Sequence, residues 1–179
     1  MHPLKARLPA VAATFVALLL AVTTVFAQSD WKLTGTAIRV KTVAIVDVNV
    51  YEISHYMKEL PPSKSKQAVI DMDTGKKFVW TMKRDVDQEK IINALKDAFS
   101  MNGYGDQGKI SSFIGAFKGE LKEKSSVTIL YDADKKQTSV TTSSGSATVG
   151  GVEFMKAVWS IWFGKIDQPK LGDQLISKI

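Results

Sequence analysis

The chain has no cysteine and only two histidines among its 179 residues. Without cysteine there are no disulfide staples, no thiolate metal site, no thiol nucleophile and no thiol redox chemistry. One histidine, His2, lies in the first 27 residues, so the remainder carries His55 alone. A single histidine without cysteine does not build an ordinary zinc site, and no H-E-x-x-H helix exists. The G-x-S-x-G elbow of a serine hydrolase is missing, leaving His55 without a marked serine partner. Gly103, Gly105 and Gly108 follow a helical pattern and do not join a strand to a helix, which excludes a phosphate-binding glycine loop. Asp73-Thr74-Gly75 matches the short aspartic-protease signature, but that chemistry needs a second carboxylate, so the tripeptide reads as a turn. Asp132 and Asp134 start like a calcium loop, yet Lys136 and Gln137 replace the third ligand and the required glycine; this too reads as a turn.

Long apolar runs are scarce beyond one at the N-terminus. Lys5 and Arg7 precede an apolar stretch from Pro9 to Val22, and Val25-Phe26-Ala27 ends it with small residues at the recognition positions. This predicts a secretory signal peptide over residues 1–27, cleaved before Gln28. The competing reading is a retained anchor, since Leu8 to Ala27 just reaches the roughly 20 residues that span a bilayer. Residues 28–179 then form one domain of 152 residues, with 22 basic against 18 acidic residues and a net charge of +4. A domain of that size buries roughly 70% of its unfolded surface and stands on its core alone. Its charges are interspersed, which describes a solvated surface and not a nucleic-acid footprint.

Val152 to Gly164, VEFMKAVWSIWFG, is apolar around most of a helix and predicts a buried central helix. Leu33 to Lys41 and Val43 to Tyr51 read as a strand pair, Glu52 to Lys58 as a short helical turn. Ala68–Met72 and Lys77–Met82 read as a hairpin about Asp73-Thr74-Gly75. Asp85 and Gln88 suggest a capping box before a helix with the stripe Ile91, Leu95 and Phe99. Ile110, Phe113 and Ile114 mark a shorter helix, and Val127–Tyr131 with Thr138–Thr142 a second hairpin. Ser143 to Gly151 reads as a Gly- and Ser-rich lead into the buried helix, and Pro169 as the start of a last one. Clustered hairpins and helices predict an α+β fold, an antiparallel sheet covered by helices on one face.

Arg39 stands out inside an apolar strand, between Ile38 and Val40. A half-buried guanidinium requires an anion. Alternation puts it on one face with Asp47, so the anion is either that neighbour or the carboxylate of a bound ligand received through a bidentate fork.

Gly35-Thr-Ala-Ile-Arg39 followed by Val48-Asn-Val-Tyr51 resembles the G-x-G-x-R … G-V-Y pattern of chalcone isomerase-like proteins. Phe117-Lys-Gly-Glu-Leu with Val127-Thr-Ile-Leu-Tyr131 is similar to the family's middle segment. Gly151-Val-Glu-Phe-Met and Ser160-Ile-Trp-Phe-Gly164, with Leu171 to Ile176, resemble the closing helices of its bacterial exported, periplasmic branch. The resemblance implies an open-faced β-sandwich whose apolar cleft holds a flavonoid in the enzymes and a fatty acid in non-catalytic relatives. It puts Arg39 on the family's arginine, as electrophile or carboxylate anchor. Counted back from Tyr51, the enzymes' threonine falls on Val46. Their tyrosine falls near Val86 or Asp87, their asparagine on Asn93 in one of two alignments, and their late Ser/Thr on Ile161 beside Ser160. The expectation is an exported, non-catalytic protein with no cofactor and no metal, binding a fatty-acid-like carboxylate with Arg39 at the mouth of an apolar cleft. The alternative is an intramolecular lyase of the isomerase type acting on a flavonoid-like substrate.

Overall fold

The computed structural model describes residues 30–179; the predicted signal segment lies outside them. Six strands form one antiparallel sheet in sequence order: β1 Lys32–Val43, β2 Val46–Met57, β3 Lys76–Met82, β4 Ser126–Asp132, β5 Gln137–Thr141 and β6 Ser146–Gly150. Five helices, α1 Lys66–Asp71, α2 Gln88–Met101, α3 Gln107–Ile114, α4 Val152–Phe163 and α5 Pro169–Leu175, complete an α+β fold. Period-2 burial in β2, β3 and β4 turns Tyr51, Ile53, His55, Phe78, Trp80, Val127 and Ile129 inward, leaving the alternate residues half-exposed. The sheet is therefore open on one face and covered on the other.

The covering centre is α4. Phe154, Met155, Val158, Trp159, Ile161, Trp162 and Phe163 are all buried, as a helix apolar around most of its girth requires. Trp159 stacks on Phe78 at 5.1 Å between centroids, and Trp162 meets Trp80 edge-on at 5.4 Å. α2 adds Ile91, Leu95 and Phe99 along one stripe, and α3 adds Ile110, Phe113 and Ile114.

Several local expectations are corrected. Glu52 to Lys58 is no helical turn: through Met57 it continues β2, because Ile53, His55 and Met57 keep the period-2 burial. Ala68–Met72 is no strand but lies in and just after α1, capped at its start by Ser65, whose side chain accepts from Ala68 N. The end of α1 is held by Lys76, whose Nζ donates to the carbonyls of Val69, Ile70 and Met72 at 2.6–3.0 Å. Three carbonyls match the three N–H bonds of an ammonium, and the Trp159 ring lies 5.1 Å from it. Burial nonetheless pulls this lysine down to about 7, opposed by Asp71 and Asp73. Asp73-Thr74-Gly75 accordingly links α1 to β3 and forms no hairpin.

The capping box at Asp85 does not form. The N-cap is Asp87, Asp85 accepts from Glu123 N, and Gln88 donates to Phe117 O. Ser143 to Gly151 contains the edge strand β6, which pairs with β5. Asp132 to Lys136 does form the expected turn, the Asp132 carboxylate accepting from Asp134 N and Lys135 N.

Candidate functional site

β1 bears irregular pairing at Leu33/Gly35 and Arg39/Val40. The second shift sets Arg39 opposite Tyr51, facing inward, while Asp47 pairs with Thr42 and accepts from its hydroxyl at 2.7 Å. The expected internal partner, Asp47, is therefore not the one used. Arg39 Nη2 donates to Asp167 Oδ1 at 2.6 Å and Nη1 to Gln168 Oε1 at 3.2 Å and Val40 O at 3.1 Å. Lys41 Nζ reaches the other Asp167 oxygen at 2.6 Å. The Arg39 side chain is 14% exposed and that of Asp167 45%, so a nearly dry cation holds a half-wet carboxylate. Burial raises the Asp167 carboxyl, but Lys41 and Arg39 outweigh it and hold the group below the ordinary carboxylate range.

The carboxylate is delivered by the segment between α4 and α5. Asn102, at the end of α2, grips Lys165 at both backbone groups, accepting from its N at 2.8 Å and donating to its O at 3.0 Å. At the other end Gln168 treats β1 as a strand would: its amide accepts from Val40 N and donates to Ile38 O, both at 2.9 Å. One side chain thus blunts part of an edge strand and fixes Asp167 against Arg39. Arg39, Val40, Lys41, Thr42, Asp47, Asp167 and Gln168 line an open surface depression of about 470 Å³.

Beneath Arg39 lies Tyr51, which sequence reasoning used as a landmark and missed as a site residue. Its hydroxyl accepts from Trp162 Nε1 at 3.0 Å, and its ring stacks on Trp80 at 4.7 Å and 9°. Burial pushes this phenol up, against the Trp162 N–H and the Arg39 cation. Trp80 Nε1 is buried without a hydrogen-bond partner among the described residues. The cross-strand register Arg39↔Tyr51 is the signal that would have found Tyr51, and it needs the bulge to be known.

The other positions do not join this cluster. Val46 pairs with Val43 at the tip of the β1–β2 hairpin and is 60% exposed, so the bulge does not bring it to Arg39. Asn93 and Asp87 are exposed on and before α2, Val86 bridges to Leu121, and Ile161 is buried in the core. Ser160 Oγ donates back to Lys156 O within α4. Where an apolar cleft was expected, the described residues show a filled sheet–helix interface of Trp80, Trp159, Trp162, Phe78 and Phe117.

His55 belongs to a second polar chain in the same layer. Trp159 Nε1 donates to Nε2 at 2.9 Å, so in the neutral ring the proton sits on Nδ1, facing Thr34 Oγ1 at 2.6 Å. Thr34 in turn donates to Leu175 O at 2.7 Å. Burial, then the Lys76 cation, hold His55 well below 6.5. This saturated group has no free nitrogen for a base. No group of three His, Asp or Glu able to hold a metal occurs among the described residues.

A family model described as chalcone isomerase-like matches residues 12–175. The chain belongs to that family. The chalcone isomerase-like chain also shares its fold with a crystal structure of a fatty-acid binding protein from Arabidopsis thaliana. That comparison gives 14% identity and a TM-score of 0.67 over 83% of this chain and 88% of that one. Identity this low speaks to architecture alone. No curated protein matches the chain.

Proposed function

We propose that this is an exported, non-catalytic binding protein of the family's bacterial periplasmic branch that takes an amphipathic carboxylate, such as a fatty acid, at Arg39. The observation carrying this reading is that Arg39 already holds a carboxylate, one that is half-exposed and borne on a connecting segment. A ligand head group arriving through the open depression would replace Asp167 on the guanidinium fork, with Lys41 assisting. The tail would lie along the seam of β1 with α5, and residues 164–168 would move aside to admit it. Each buried methylene favours binding by about 0.8 kcal/mol, so few polar contacts are needed. The fatty-acid binding of the structural neighbour named above is consistent with this ligand class.

Native mass spectrometry of protein recovered from its own cell envelope tests the reading, together with titration of a long-chain fatty acid. A retained carboxylate lipid and saturable binding are expected, with Arg39→Ala weakening affinity by about tenfold or more. Neither retained lipid nor saturable binding would sink it. Flavanone-forming turnover abolished by Arg39→Ala would replace it with the isomerase reading. N-terminal sequencing of the same material checks export, the expected first residue being Gln28.

A further inference from the structure

The β1–β2 hairpin outruns the sheet. β3 pairs with β2 only as far as Tyr51↔Met82, so residues 40–50 project as a two-stranded ribbon. Its end carries Val43, Ala44, Ile45 and Val46, with Ile45 95% exposed and the two valines about 60%. Three of the five exposed large apolar residues in the described chain sit on this one tip. Hairpin turns favour Gly, Asn or Asp where φ is positive. Here Ala44 takes φ 58 with a β-branched residue on either side. A turn that forgoes its natural polar residues and holds a strained alanine exposes apolar surface that water opposes.

We propose that this tip seats in the interfacial region of a lipid bilayer. It is convex, and four side chains offer far less than the roughly 800 Å² that each partner commits to a stable protein interface. A fluid bilayer conforms to such a shape where a protein surface needs a matching pocket. At about 3.3 Å per residue, Asp47 and Lys41 lie roughly 7–10 Å behind the turn. That matches the 5–10 Å depth at which interfacial segments rest. The nearest charges are partnered there, Asp47 accepting from the Thr42 hydroxyl and Lys41 pairing with Asp167, and both sit far enough back to stay at headgroup level. The docking also brings the Arg39 depression, which shares Thr42 and Asp47, to headgroup level. Only that last link, delivery of a bilayer amphiphile to Arg39, rests on the function proposed above.

Because the chain lacks cysteine, Ile45→Cys gives a unique attachment point for an environment-sensitive fluorophore; Ser111→Cys on the exposed face of α3 is the control. The probe is phosphatidylcholine vesicles with a minor share of phosphatidylglycerol and a bilayer-embedded quencher. The expected result is a blue shift and quenching at position 45 alone, persisting in high salt. Val43→Asp with Ile45→Asp should lower partitioning by about tenfold or more with unfolding unchanged. An unshifted label, a double variant that partitions like wild type, or adsorption lost in salt would overturn the proposal. A shift without vesicles that grows with protein concentration would assign the tip to a second copy instead. Fatty-acid affinity measured without vesicles reports separately on Arg39.

Discussion

α4 sends two indole N–H groups to two residues of β2, and the two contacts end differently. Trp159 donates to His55, which passes to Thr34 and on to the Leu175 carbonyl, tying α4, β2, β1 and α5 into a dry closed relay. Trp162 donates to Tyr51, and beyond Tyr51 stand Arg39 and the half-exposed Asp167. His55 and Tyr51 lie four positions apart on the same inward face. The closed relay spends its polar groups on fixing helices to the sheet. The open one ends in a cation whose anion is half-exposed, and the proposed function makes that anion exchangeable. A buried polar group stabilises when every partner is internal, and becomes a receptor when the last partner can leave.

The two contacts should differ most at Trp159. Trp159→Ala is expected to cost about 3–5 kcal/mol in denaturant unfolding, as for large core truncations. Arg39→Ala should cost about 1 kcal/mol or less while losing ligand, because its ion pair is partly solvent-screened. A finer cut removes only the N–H. Trp159→Phe leaves His55 Nε2 unpaired and should cost about 1–3 kcal/mol beyond the lost ring volume. Trp80→Phe, which removes an indole N–H with no partner, should lack that penalty.

Acid probes the same relay. The His55 pKa is lowered well below 6.5 in the fold, so below about 6.5 the unfolded chain binds a proton that the folded chain refuses. This part of the stability is present above pH 6.5 and is lost on acidification, by at most about 1.4 kcal/mol per pH unit. His55→Gln should flatten that slope in pH-dependent melts. The smallest effect on stability is expected at Asp167→Asn, within about 1 kcal/mol, because the amide oxygen, Gln168 and the Val40 carbonyl still accept from Arg39 and water screens the half-exposed position. If Asp167 competes with the ligand head group, calorimetric titration should then show tighter fatty-acid binding; weaker binding would assign Asp167 a supporting role.

Much of the core was legible along the chain. Val152–Phe163 declares itself because a run this apolar has no stable place but the interior. The β4–β5 hairpin, the α2 stripe and Pro169 at the start of α5 follow from local periodicity and turn chemistry. The failures share one cause, contacts distant in sequence. Residues 68–72 look β-branched enough for a strand, but Lys76 and the packing of α1 on α4 make all but Met72 helical. Glu52 to Lys58 looks helical only until β3 pairs with it.

The site divides the same way. That Arg39 needs an anion follows from its apolar neighbours, since desolvating a lone guanidinium is prohibitive. Which anion it takes does not follow. A one-residue bulge sets Tyr51 opposite it where the register of the hairpin tip would have set Val50, while Asp47 stays opposite Thr42, and Asp167 arrives from 128 positions away because Asn102 and Gln168 pin its segment. Composition and periodicity act over a few residues and fixed what had to be buried. Pairing register and loop closure act across the whole chain, and only they decided which charge meets which.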